Sequence, residues 1–171
     1  PTTEIYTVSL HDALPIFFDR KDLTEAQKIQ ELNLFFKTLE TNERPNVIIV
    51  EAPDALMRYS DFAPNGFGIR TYMVCQAVCP DFLVCCVPCE MAAGRLLDAL
   101  SLDFEYRLGS PIHAAHVSNL VIDSMDLMQT HGISYIHADM EAVLEQIANE
   151  SEGSSIPLFD VVGDGIEGLY A

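Results

Sequence analysis

Positive charge is scarce in this chain: nine Lys and Arg residues stand against 26 Asp and Glu. Proteins that grip a phosphate backbone do so by neutralising it with Lys and Arg, so the expectation is no nucleic-acid partner. A basic peptide suits such a surface better, although acidity also serves solubility alone. Long apolar runs are missing too. None approaches the roughly 18 to 20 residues that a membrane-spanning helix needs, so no membrane partner is expected and the cytoplasm is the expected location. The phosphate-cradling Gly-x-x-x-x-Gly-Lys-[Ser/Thr] loop is nowhere in the sequence. Cysteines are few and odd in number, five of them, crowded between Cys75 and Cys89. A secreted disulfide framework would spread its bridges along the chain, so these are expected to be reduced thiols.

What is present is enough for a core. The chain has 171 residues, 49% of them apolar, which suits an ordinary globular domain. The opening Pro1 to Ile16 resembles a translated sequencing adaptor and is expected to be an artefact, set aside from fold reasoning as any scar would be. Residues 17–171 are then expected to form one α/β domain, the C-terminal part of a longer protein. Removing Glu4 and Asp12 leaves 24 acidic and 9 basic residues, a formal charge of −15.

Thr24 and Gln27 have capping-box spacing, and Ile29, Leu32, Phe36 and Leu39 follow at helical intervals, which predicts a helix ending at 42–44, before Pro45. The run Asn46 to Glu51 is apolar and β-branched without alternation, as in a parallel strand covered on both faces. A turn-rich stretch, 53–66, follows. Helices are expected over 67–78, 90–100 and 116–128, alternating with strands at 81–87, 104–108 and 134–137. Asp139 is placed to cap a further helix carrying Met140, Val143, Leu144 and Ile147 inward, and 157–162 reads as the last strand. This alternation predicts an open, mainly parallel sheet of about five strands with helices on both faces, Rossmann-like or P-loop-like.

Several blocks line up with one family. They are Arg44 to Val50, Asn65 to Ile69 with Tyr72, Gln76 to Asp81, Tyr106 to Gly109, Ser118-Asn119 with Asp123, Ile133 to Ile136, and Ile156-Pro157. In their order and spacing, over most of 34–162, the chain resembles the clostridial peptide maturation system proteins, companions of radical SAM maturases of cysteine-rich peptides. The resemblance implies an accessory role in making a ribosomally encoded, bacteriocin-like natural product, with the precursor peptide or the maturase as partner. The chain departs from it at Glu51-Ala52-Pro53-Asp54-Ala55, where a Gly-x-Pro-Gly-Gly turn is expected; residues with a Cβ there weaken any close backbone approach to a ligand.

Ligands of open parallel sheets bind beyond the carboxyl ends of the strands. Glu51 and Asp54 sit at such an end and are candidates to hold Mg²⁺ against a nucleotide; the alternative is a pair of loop carboxylates in water. They motivate a rival function, a nucleotide-dependent ligase or transferase whose phosphate loop lies upstream. Asn65, Gly66 and Gly68 enter a helix whose free N–H groups suit an anion, or simply turn the chain. His116, Asn119 and Asp123, spaced i, i+3 and i+7, share one stripe of the expected helix, with Ser118 beside them and His113 one turn earlier; they are ligand-binding or proton-transfer candidates, or the polar side of an amphipathic helix. Cys86 and Cys89 form a C-x-x-C, a candidate redox pair. The strand between the two pairs separates them by roughly 20 Å at about 3.3 Å per residue, which argues against a four-thiolate site with Cys75 and Cys79, and no metal is expected.

Overall fold

The computed structural model describes residues 5–8, 17–52 and 68–163. The chain divides into two compact units, Pro1–Cys79 and Pro80–Ala171.

In the first unit the order is β1 (Ile5–Val8), α1 (Glu25–Glu43), β2 (Val47–Val50) and α2 (Ile69–Val78). Helix α1 starts where local chemistry directs. The Gln27 N–H donates to Thr24 Oγ1 at 3.3 Å, and the Thr24 N–H donates back to Gln27 Oε1 at 2.9 Å, a reciprocal cap that satisfies two otherwise orphaned donors. The helix ends at Arg44, in left-handed backbone with φ 48°, one residue before Pro45. Its inward stripe, Leu32 and Phe36, packs with Phe18 and with Met73, Val74 and Ala77 of α2. Two polar groups are satisfied within this packing: Asn33 Nδ2 donates to the Ala77 carbonyl at 2.6 Å, and buried Lys28 donates to the Phe18 carbonyl at 3.0 Å and to Glu25 at 2.9 Å.

Strand β1 runs parallel to β2, with Ile5 opposite Val47 and Val8 opposite Val50. Strand β2 is less enclosed than expected. Ile48 and Val50 pack on the core, but Val47 and Ile49 are exposed, so only one face is covered.

The second unit contains β3 (Val84–Pro88), α3 (Gly94–Leu108), β4 (Ala114–Ser118), β5 (Leu120–Ile122), α4 (Ser124–Thr130), β6 (Tyr135–His137), α5 (Met140–Ser151) and β7 (Leu158–Phe159). The parallel sheet has three strands in the order β3-β4-β7. One face is made by buried Cys85, Val87, Ala115, Val117 and Leu158, alternate residues as the pleat requires; on the other, Ala114 and Phe159 are buried as well, and Val84 and Cys86 of β3 are exposed. Asp139 caps α5 as expected, accepting from the Glu141 N–H at 3.2 Å, and Val143 and Ile147 are buried.

Two expectations need correction. Residues 104–108 are not a strand but the last turns of α3, which carries Leu97, Phe104 and Leu108 on one buried stripe and stops at Gly109, φ 82°, a backbone angle that favours glycine. Residues 116–128 are not one helix. They are the end of β4, a kink at Asn119, strand β5, and helix α4, whose start is fixed by Asp123 accepting from the Met125 and Asp126 N–H groups at 2.9 and 3.0 Å. Strand β6 pairs with β5, and the pairing is antiparallel, Leu120 opposite His137. The described strands fall into three sheets, two parallel and one antiparallel.

Candidate functional site

The expected site residues are scattered. Asp54, Asn65 and Gly66 lie outside the described residues. Glu51 is exposed directly after β2. Gly68 is the N-cap of α2, with φ 68° and no side chain to cap it, and its carbonyl accepts from the Tyr72 N–H at 2.8 Å.

Ser118, Asn119 and Asp123 do not share a helical stripe, because no helix runs through them. Ser118 closes β4 and its Oγ accepts from the Leu120 N–H at 3.4 Å. The Asn119 carbonyl accepts from the Ala138 N–H at 2.7 Å, which ties the kink to the end of β6. Asp123 spends its side chain on the α4 cap. Each has a local structural task.

Both thiols of the C-x-x-C belong to the β3 end of the sheet: Cys86 is exposed on the strand, and Cys89 is half-buried in the single turn of 3-10 helix, Cys89–Met91, that follows. All five cysteines are thiols. Burial pushes the Cys85 thiol from its ordinary value of 9.0 up to about 12, with Cys86 beside it adding to the shift. Cys75 is raised by burial and then by Cys79, and Cys89 by burial and then by Glu90. A raised thiol holds its proton and is a poor nucleophile at neutral pH. By exposure, Cys79 and Cys86 are the accessible thiols.

The sheet gathers a different group of side chains. Cys86 is in register with His116, and His116 with Phe159. The residue after Phe159 is Asp160, only 1% exposed. Its Oδ1 accepts from the Val162 N–H at 3.2 Å and its Oδ2 from the Gly163 N–H at 2.7 Å. Nδ1 of His116 stands 3.9 Å from Asp160 Oδ1 and accepts a long 3.5 Å contact from the Val161 N–H. The ring leans on Phe159 with centroids 5.6 Å apart. The sequence reading noticed His116 but placed it on a helix, and it passed over Asp160. A carboxylate immediately after an apolar run near a parallel strand's carboxyl end was the available signal.

Among the described residues no cluster of three or more His, Cys, Asp or Glu side chains is arranged to hold a metal ion, and no helix is long and apolar enough to cross a membrane. The chain matches no family model, no curated protein and no solved structure.

Proposed function

We propose that this chain is an accessory binding protein in the maturation of a ribosomally made peptide, receiving an extended basic segment of the precursor along β3. The observation that carries the reading is that β3 is an edge strand: it pairs only with β4 among the described residues, and it presents Val84, 43% exposed, and the exposed Cys86 on its open face. An edge strand offers a row of main-chain donors and acceptors to an incoming strand, and alternate side chains on the open face read its sequence. The charge of −15 over residues 17–171 favours a cationic guest and speeds its approach. The family resemblance of the sequence blocks supplies the biological setting, with the radical SAM maturase as the second partner.

The test is calorimetric titration with extended basic peptides and their acidic counterparts, alongside deletion of the gene from its cluster. Binding of the basic series, tenfold weaker in Val84→Arg, together with loss of mature peptide on deletion, is the expected result. Equal binding of both series, or unchanged processing after deletion, would sink the reading. The rival ligase or transferase reading includes the finer expectation of one open five-stranded sheet and takes a nucleotide with Mg²⁺ as cofactor. Titration with ATP or GTP in the presence of Mg²⁺ decides it.

A further inference from the structure

His116 stands between two groups whose chemistry complements its own. Cys86 lies opposite it on β3, and in-register residues of neighbouring parallel strands project to the same face, with the strands about 4.8 Å apart. That span is within the joint reach of a thiol and an imidazole. Phe159 and Ala114 on this face are buried, but its β3 edge is open: Cys86 is exposed and the His116 side chain is 20% exposed, so a reagent can arrive there. Behind the ring is Asp160, 3.9 Å from Nδ1, fixed by its two backbone N–H donors; with the ring proton on Nδ1, turned to this carboxylate in place of the long Val161 N–H contact, Nε2 carries the lone pair that a base needs. Thiol, imidazole and carboxylate therefore follow one another across the sheet in the order that nucleophilic acyl transfer uses. Without substrate such groups commonly stand farther apart than hydrogen-bond distance and tighten in the complex.

We propose that Cys86 is a nucleophile for acyl transfer to water, with His116 as its general base and Asp160 as the positioning residue behind the imidazole, acting on activated carbonyl groups such as esters and thioesters. His116 takes the thiol proton, and the sulfur adds to the carbonyl carbon. The bond from that carbon to the leaving group breaks, the leaving group departs with the proton from His116, and the acyl group remains on Cys86. His116 then takes a proton from water, whose oxygen attacks the same carbon. The C–S bond breaks, the acid is released, and the proton returns to sulfur. No oxidant, reductant or metal enters the balance.

The proposal goes beyond the peptide-binding reading and stands or falls without it, because a small ester suffices as probe. The full chain is incubated with p-nitrophenyl acetate, nitrophenolate release is followed by absorbance, and the acetyl group is located by peptide mass spectrometry. The expected result is one acetyl group on Cys86, lost in Cys86→Ser, with acylation slowed about a hundredfold in His116→Gln. Asp160→Asn slows acylation in the otherwise natural chain but adds nothing in the His116→Gln background. That non-additivity identifies groups acting as a unit and would not arise from a merely structural role. Acetylation spread equally over Cys79, Cys86 and Cys89 overturns the proposal, as does a folded His116→Gln chain, checked by circular dichroism, that reacts as fast as the natural one. Should Asp160→Asn fail to fold, Cys86→Ser, at an exposed position, and His116→Gln still decide the nucleophile and its base.

Discussion

The Gly94 N–H donates to Glu150 Oε2 at 3.0 Å, so a carboxylate from the last turn of α5 caps the first residue of α3. The free N–H groups at a helix start favour negative charge, and helix α3 has no cap from its own side chains, which leaves this task to Glu150. The same closeness dictates glycine: a Cβ at position 94 would stand 2.9 Å from the Ser154 Cβ and 3.0 Å from its backbone. Glu150→Ala is expected to cost about 1 kcal/mol, and Gly94→Ala, despite a better helix former, a net 1 to 2 kcal/mol through the clash. Urea unfolding midpoints measure both.

Asp123 offers a sharp separation of structural from functional roles. It caps α4 through the Met125 and Asp126 N–H groups, so Asp123→Ala should lower stability by about 1 kcal/mol while Asp123→Ser recovers most of the loss. Acylation of Cys86 by the ester probe is expected to stay at the natural rate in Asp123→Ser, because the strand register does not place Asp123 beside Cys86 and His116. Thermal midpoints and nitrophenolate release report the two halves.

Titration of the cysteines has a sign that can be worked out. Cys85 is raised in the folded chain to about 12 from an ordinary 9.0, so unfolding releases a thiol that ionises more readily. The stability this contributes is fully present below pH 9 and is lost as pH rises towards about 12. The expected observation is a denaturation midpoint that falls over that alkaline window, and less so in Cys85→Ala once its own cavity cost is subtracted. At neutral pH iodoacetamide should label Cys79 and Cys86 readily and spare buried Cys75 and Cys85 until the chain unfolds.

Leu97 is 0% exposed, at the start of the buried stripe of α3. Leu97→Ala leaves a cavity in the core and is expected to cost about 2 to 5 kcal/mol, on the order found for large-to-small core changes. Chemical denaturation checks the size, and an unchanged slope with denaturant would show that the unfolded state is not the cause.

The elements that could be read from the sequence were those whose signals are local. Thr24 and Gln27 announce α1, and Asp139 announces α5, because a cap and its helix lie within a few residues of one another. Strands β4 and β5 were misread as helix because His116, Asn119 and Asp123 happen to fall at helical intervals, while their true partners are remote: Ala115 pairs with Leu158 and Val121 with Ile136. Residues 104–108 looked like a strand through Phe104 and Tyr106, yet Tyr106 is 90% exposed and only the i, i+4 pair Phe104 and Leu108 faces inward. The same distinction governs the candidate site. Cys86 and His116 were each visible as reactive residue types, but their alignment depends on strand register, and Asp160 joins them only because β7 returns beside β4.

That return has a consequence for synthesis on the ribosome. Strand β4 is the middle of its sheet, but its second neighbour is made only when Leu158 and Phe159 emerge, after α4, β6 and α5 have all been translated. Until then a nascent chain carries β3 and β4 as a two-stranded ribbon with one side of the central strand unpaired, the kind of edge that recruits strands from other chains. Late closure of the sheet makes the interval between residues 118 and 158 the stretch of translation in which a chaperone has most to protect.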